Sequence, residues 1–207
     1  MVELTPLEVR VLGTLIEKEH LVPDAYPMSL KGIFDGVTQR TNRTPIMDVM
    51  IEDVNTAIQS LLVEGLIIEV KGRHVTRYEH LAQSFLKIPS QAVPLLGVLL
   101  LRGPQTAAEI RLATERMHRF PTISSINQFM LDMLKREEPL VARLSLKKGK
   151  REHRWAHMLS GPVVSVEDAE NHEPSTAELM TIILKLQKEV MNLSRRLGEV
   201  ENLISNE

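Results

Sequence analysis

The densest run of positive charge in the chain comprises Lys147, Lys148, Lys150 and Arg151, with Arg154 close behind. Ammonium and guanidinium groups on a tight turn can reach the phosphates of a nucleic acid, and such contacts supply most of the affinity in DNA complexes. The pattern therefore predicts a duplex-DNA contact that weakens steeply as salt rises. The alternative is that a turn rich in lysine and glycine is simply solvated.

A second set of polar residues lies just before this run, on a predicted helix. Its apolar residues recur at spacings of three and four, which leaves Asn127, Gln128 and Arg136 on the other face. In helix-turn-helix proteins the second helix enters the major groove, where amide and guanidinium groups read base edges. We predict that these three residues contact DNA together with the basic run. The apolar face comprises Ile126, Phe129, Met130, Met133 and Leu134.

Residues that could support catalysis or metal binding are scattered. The chain has seven histidines and no cysteine, which excludes disulfides and thiolate metal sites. His153 and His157 share a predicted strand face, but no acidic residue on that face completes a ligand set. The sequence has no phosphate loop, nucleophile elbow or evident pair of catalytic carboxylates. It therefore predicts a protein that is not an enzyme and that holds no metal and no cofactor.

The net charge of −2 conceals an uneven distribution. Residues 81–160 hold 13 Lys or Arg against 6 Asp or Glu, whereas residues 1–80 hold 8 against 12 and residues 161–207 hold 4 against 9. A basic middle segment favours an anionic partner. The alternative is that this basic surface lies against an acidic neighbour within the same fold.

Composition narrows the class of protein further. Aromatic residues make up only 3% of the chain, which disfavours a stacking platform for single-stranded nucleic acid. No apolar run approaches the roughly 18 residues that a membrane span requires, and the first residues lack the basic start of a signal peptide. The sequence therefore predicts a cytoplasmic protein with no membrane partner.

The positions of the predicted helices follow from their start signals. Thr5 with Glu8, and Thr106 with Glu109, each form a capping box, in which the two residues bond each other's backbone N–H groups. Ser29 is the predicted N-cap of a second helix, and a third helix runs from about residue 51 to 64. In the basic segment, Ser124 or Ser125 is the predicted N-cap of the helix that ends near Arg136.

The same order of elements occurs twice. Each half has a helix, a capped helix, a third helix and a hairpin, and the motif V-x-x-L-G-x-L occurs at residues 9–15 and again at 93–99. We therefore predict a mainly α fold with small β-hairpins, built from tandem winged helix-turn-helix domains. The predicted domains are residues 1–80 and 88–160, with a connector at 81–87.

A polar loop in the first half offers a second candidate surface. Residues 38–45 have no large apolar side chain and end in proline, which indicates an exposed loop. Arg40, Asn42 and Arg43 could touch a partner there, or Arg43 or Asn42 could tie the loop to its own domain. The neighbouring third helix has acidic residues and no Lys or Arg, so it would repel phosphates. A protein partner suits this half better.

The C-terminal segment has its own pattern. Residues 161–174 read as an acidic flexible linker, and residues 175–205 as a helix with apolar residues at alternating spacings of four and three. This pattern favours a homodimer through a coiled coil, although the helix could instead fold back on its own domain. The apolar positions are Leu179, Ile183, Leu186, Val190, Leu193, Leu197, Val200 and Ile204.

Several short motifs resemble those of the YceH-like bacterial proteins, an uncharacterised protein family. They lie at residues 7–13, 26–30, 41–43, 101–106 and 149–152, and the resemblance covers roughly residues 4–160. It implies a tandem winged-helix fold and brings no established biochemical activity. Family members usually carry a Cys-Asn-Gln-Lys-like run where this chain has Val37-Thr38-Gln39-Arg40.

The sequence is compatible with two functions. The first is binding of double-stranded DNA by the second half, as in a transcription regulator. The second is an interaction scaffold, in which winged-helix modules bind proteins and no nucleic acid.

Overall fold

The computed structural model describes residues 3–71, 75–146, 149, 152–162 and 180. In this part of the chain the same order of elements is found twice. The first half contains α1 (Pro6–Leu21), a 3₁₀ turn (Pro23–Ala25), β1 (Met28–Ser29), α2 (Leu30–Val37), α3 (Ile51–Val63), β2 (Ile67–Lys71) and β3 (Thr76–His80). The second half contains α4 (Ala82–Leu86), α5 (Ala92–Arg102), β4 (Gln105–Thr106), α6 (Ala107–Thr114), α7 (Ile123–Leu134), β5 (Val141–Arg143) and β6 (Arg154–His157).

Each half has one small antiparallel sheet of three strands. The strand order is β1-β3-β2 in the first half and β4-β6-β5 in the second. In both sheets the last strand lies in the middle, because it pairs with its hairpin partner on one side and with the short strand before the second helix on the other. The fold is thus mainly α with small sheets, and each half is compatible with a winged helix.

Most helix starts follow the predicted capping. Thr5 Oγ1 accepts from the Glu8 N–H at 3.3 Å, and the Thr5 N–H donates to Glu8 Oε2 at 2.7 Å. The Thr106 and Glu109 pair repeats this arrangement, with distances of 3.2 and 2.8 Å. Ser29 caps α2, since its Oγ accepts from the N–H at residue 32 at 3.2 Å. The local sequence was sufficient to predict these three helix starts.

The predicted N-cap of α7, Ser124 or Ser125, is wrong by two or three residues. Thr122 is the N-cap, because its backbone is extended and its Oγ1 accepts from the Ser125 N–H at 3.1 Å. Ser124 and Ser125 already belong to the first helical turn. A threonine after Pro121 offers the same acceptor as a serine, and an N-cap hydroxyl bonds the N–H three residues later.

The segment between the halves is partly helical. Residues 81–87, predicted as a connector, contain the short helix α4, which ends at Lys87 in a left-handed conformation with φ of 50°. The chain divides into two compact units, Met1–Val163 and Val164–Glu207. The predicted acidic linker lies outside the described residues apart from Gly161 and Pro162, and the predicted C-terminal helix lies outside them apart from the exposed Met180. All eight heptad residues are outside the described part of the chain.

The core centres on α1 and α5, each of which has ten consecutive buried residues. The two helices approach closely at glycines of the repeated motif. A Cβ at Gly97 would lie 2.6 Å from Ile16 Cγ2, and one at Gly13 would lie 3.0 Å from Leu100 Cβ. These glycines are needed because no side chain fits between the helices. None of the helices in the described residues is both long and apolar enough to cross a membrane.

Substituting Gly97→Ala tests this close approach. We expect it to lower the free energy of unfolding by about 1 to 3 kcal/mol, because the new methyl group overlaps a side chain that cannot rotate away. The matched control is Gly32→Ala in α2, where a Cβ would come no nearer than 3.3 Å to the flexible end of Met28. The control should be neutral or slightly stabilising. Equal urea-denaturation midpoints for the two variants would contradict the packing described.

Candidate nucleic-acid interface

The helix α7 is fixed by its apolar face. Ile126, Met130 and Met133 are buried in the core. Phe129 lies edge-on to Phe120, which precedes the helix, with ring centroids 5.9 Å apart. This packing directs Ser124, Gln128 and Asp132 to solvent at intervals of one helical turn.

Two of the predicted DNA-contacting residues are engaged within the protein. Asn127 Oδ1 accepts a hydrogen bond from Trp155 Nε1 at 3.3 Å, which joins α7 to the buried side of β6. Arg136 donates to the carbonyl oxygens of Leu86 and Lys87 at 2.9 and 3.1 Å, which joins the end of α7 to α4. These bonds hold the helix in position.

The other predicted contacts differ in exposure. Gln128 lies on the exposed face, where its Nε2 donates to Asp132 Oδ1 at 2.8 Å. Arg154 Nη2 lies 3.4 Å from Glu109 Oε1, in a pair whose side chains are both more than 40% exposed, so the pair contributes little to stability. The four basic residues of the hairpin, Lys147, Lys148, Lys150 and Arg151, lie outside the described residues.

Three arginines that were not predicted as site residues lie shortly before α7 in the chain. Arg111, Arg116 and Arg119 are exposed on α6 and on the connection to α7. Arg111 and Arg119 border one shallow hollow of about 110 Å³ together with Glu115. Within the described part of the chain, neither Arg116 nor Arg119 has an ion pair or a side-chain hydrogen bond. Three arginines within nine residues before a predicted recognition helix were a signal that could have been read from the sequence.

The loop of the first half is tied down by Arg43, as one of its two interpretations predicts. Arg43 is buried and forms a bidentate ion pair with Glu17 of α1, at 2.6 and 3.1 Å. Its Nε also donates to the Gly36 carbonyl oxygen at 3.0 Å. Arg40 and Asn42 stay exposed, and Asn42 has a left-handed φ of 59°.

This ion pair belongs to a cationic cluster. Burial alone would raise the pKa of Glu17, but the hydrogen bonds and charge of Arg43 outweigh it and lower that pKa. Burial lowers the pKa of Arg10, and the charge of Arg43 lowers it further. Arg10 is held by the carbonyl oxygens of Val37 and Pro45. The cluster therefore fixes the loop to α1 and is not free for a partner.

The two histidines of the second hairpin have different environments. His153 is exposed and its Nδ1 bonds the Leu144 carbonyl oxygen at 2.9 Å. Burial lowers the pKa of His157 to about 4, and its Nδ1 has no partner among the described residues. The described residues contain no group of three or more His, Asp or Glu that could hold a metal ion.

Comparison with known proteins places the chain in a family. A family model described as "Protein of unknown function, DUF480" matches residues 4–150. The chain belongs to the DUF480 family. This DUF480 chain is 42% identical over 206 residues to a UPF0502 protein of Cupriavidus necator, covering 98% of this chain and 85% of that relative. It is 50% identical over 161 residues to a UPF0502 protein of Burkholderia ambifaria, covering 78% and 68%. The predicted membership of the YceH-like family is confirmed.

Replacing the buried Arg43 of this DUF480 chain should destabilise the fold. We expect Arg43→Met to lower the free energy of unfolding by about 3 kcal/mol, because the buried Glu17 would lose its bidentate partner and keep only Lys18, whose Nζ lies 3.4 Å from Glu17 Oε2. The control is Arg40→Met in the same loop, whose side chain is exposed and should change stability by less than about 0.5 kcal/mol. Chemical denaturation of both variants measures the difference. Indistinguishable stabilities would contradict the anchoring role of Arg43.

The half-buried His157 should make stability depend on pH. The pKa of His157 is about 4 in the folded chain against an ordinary value of 6.5, so the unfolded chain binds this proton at higher pH. The stabilisation is therefore complete above about pH 6.5 and is lost as the pH falls towards 4. The loss is at most about 3 kcal/mol, at about 1.4 kcal/mol per pKa unit.

Urea denaturation between pH 4 and 7 tests this dependence. His157→Gln should flatten the slope in this range, whereas the exposed control His153→Gln should retain it. A wild-type slope that survives in His157→Gln would assign the dependence to another group.

Proposed function

We propose that this protein binds double-stranded DNA through its second half, acting as a tandem winged-helix regulator. In this proposal the start of α7 enters the major groove, and the arginines between α6 and α7 contact the flanking phosphates. The repeated element order and the matching strand orders support a winged helix in each half. The charge of the second half supports an anionic partner for it.

The observation that carries the proposal is a pair of free arginines on the connection that leads into α7. Arg116 and Arg119 are exposed and unpaired within the described residues, and the helix that follows them exposes the polar residues Ser124 and Gln128. Phosphate contacts position a protein on a duplex, and side-chain contacts in the groove read its bases. Exposed cations on the connection before a helix and polar residues on its exposed face could supply these two kinds of contact.

The internal bonds of α7 assign its residues different roles. Asn127 and Arg136 hold the helix against β6 and α4, so we propose that they act by positioning it. Gln128 can exchange its exposed bond with Asp132 for a bond to a base edge. Asp132 lies two turns from the start of the helix, where its carboxylate suits a base amino group rather than a phosphate.

Dimerisation would add a second DNA half-site. The heptad pattern of residues 175–205 favours a coiled coil between two chains. Two linked binding modules gain avidity because the second contact becomes intramolecular. We propose that the dimer binds a site with two halves, as other helix-turn-helix dimers do.

The first half supports a second candidate function, binding of a protein. Large apolar residues are exposed at both ends of α3, with Ile46 and Met50 before the helix and Val63, which is 87% exposed, at its end. The exposed residues between them include Glu52 and Asp53, which would repel phosphates. Exposed apolar residues beside acidic ones suit a protein partner better than DNA.

Fluorescence anisotropy of a generic labelled duplex across a salt series tests DNA binding. We expect the logarithm of the wild-type affinity to fall linearly with the logarithm of the salt concentration. In the double variant Arg116→Glu/Arg119→Glu the slope should shrink by about two, roughly one for each lost phosphate contact. The affinity at fixed low salt should fall at least about tenfold.

The control carries the same change in net charge elsewhere. Arg40→Glu/Lys71→Glu alters two exposed residues of the first half and should retain the wild-type slope. Equal losses in both double variants would show a general charge effect instead of a defined site. Absence of wild-type binding at low salt would overturn the proposal and leave protein binding as the better candidate.

A further inference from the structure

A cleft of about 460 Å³ lies where the first half meets the second. It is bordered by the end of α1, the end of β3, the helix α4 and the start of α5. Pockets that bind small molecules typically have volumes of about 300 to 1,000 Å³. The cleft lies apart from α6 and α7, and its occupation does not depend on the proposed binding of DNA.

One side of the cleft is apolar and rigid. Ile88 and Val93 line it, and each is at least 95% buried, so their positions are set by the core. A short hydrocarbon stem laid against these side chains would be removed from water, which favours binding by about 0.8 kcal/mol for each buried methylene group. This side therefore suits an aliphatic group.

Most of the polar side chains that line the cleft can accept hydrogen bonds, and the Gln83 amide can also donate. His80 Nδ1 accepts from the Ala82 N–H at 3.3 Å, so its Nε2 carries the proton and donates to Glu19 Oε2 at 3.0 Å. His80 therefore has no donor left for an occupant. His20 Nδ1 donates to the Ile16 carbonyl oxygen at 3.0 Å and lies 3.5 Å from Glu19 Oε2, so Nε2 is an acceptor in the neutral ring.

Two carboxylates complete the acceptor set. Glu19 Oε1 and both oxygens of Glu79 have no partner among the described residues, and both residues line the cleft. His80 is buried and holds Glu19 in place through its bond to Oε2. The lining contains no Lys or Arg within the described part of the chain that could neutralise these charges.

The negative charges at the cleft raise the pKa of a neighbouring residue, Tyr26. Tyr26 lies beside the cleft, with its hydroxyl oxygen accepting from the His80 N–H at 2.8 Å. Burial raises the pKa of Tyr26, and the charges of Glu19 and Glu79 raise it further. Both carboxylates thus act on the same region, as they would on a cation bound between them.

We propose that this cleft binds a small organic cation, an alkylammonium or guanidinium compound. The charged head donates hydrogen bonds to Glu19 and Glu79, and a short aliphatic stem packs against Ile88 and Val93. A donor suits the cleft because acceptors outnumber donors in its lining, and a positive charge suits it because two acidic residues, Glu19 and Glu79, line it. An occupant touches residues of both halves of the protein.

Titration of the full-length protein with n-butylammonium, followed by ¹H–¹⁵N NMR, tests the proposal. The probe should shift the amide signals of residues 79–93 in a saturable manner, with a Kd in the millimolar range expected of so small a ligand. n-Butanol has the same stem without the charge, and butyrate has the opposite charge, so neither should shift these signals at equal concentration. Equal shifts from butanol and butylammonium would overturn the requirement for a cation.

A variant distinguishes binding of butylammonium in the cleft from its general attraction to an acidic surface. Glu79→Gln keeps the shape of the side chain and makes no change to the Glu19 and His80 pair, so it should fold and bind butylammonium about tenfold more weakly. Glu64→Gln, at the exposed end of α3, removes the same charge away from the cleft and should bind as the wild type does. Unchanged affinity in Glu79→Gln with a wild-type melting curve would overturn the proposal, as would shifts confined to α3.

Discussion

The close approach of α1 and α5 is the constraint on which the rest of the structure depends. Gly13 faces Leu100 and Leu101 of α5, and Gly97 faces Ile16 of α1, so each helix offers a glycine to the aliphatic side chains of the other. Positions 13 and 16 correspond to positions 97 and 100 in the repeated motif, so the two contacts are equivalent when the halves are exchanged. A two-fold axis produces the same kind of contact between identical subunits. The two halves of the repeat therefore share one hydrophobic core.

Backbone hydrogen bonds reinforce this union of the halves. The Leu4 N–H donates to the Leu159 carbonyl oxygen at 2.7 Å, and the Thr44 N–H donates to the Leu101 carbonyl oxygen at 2.8 Å. The second bond joins the loop that Arg43 anchors to the last turn of α5. Because separating the halves would expose two buried helices and these bonds, α3 and α7 keep a fixed relation within the unit Met1–Val163. A protein partner on one and DNA on the other would be held at a set distance.

The features that sequence predicted are the local ones. A capping box needs only two residues three apart. The repeated element order followed from such signals. The bond between Arg43 and Glu17 joins residues 26 apart, and that between Asn127 and Trp155 joins residues 28 apart. Such pairs depend on how the helices and strands pack against one another. The periodicity of apolar residues in the sequence does not specify this packing.

The role of each arginine in a polar segment follows from its burial. Arg43 and Arg116 both lie in polar segments next to helices, and the sequence gives no reason to separate them. The guanidinium of Arg43 is buried, where an unpaired charge would be prohibitively costly, and it is satisfied by Glu17 and by backbone carbonyl oxygens. Arg116 is exposed and hydrated, so it can exchange water for a phosphate oxygen at little cost. Polar residues show where the chain is solvated, and packing decides which of them remain free to bind.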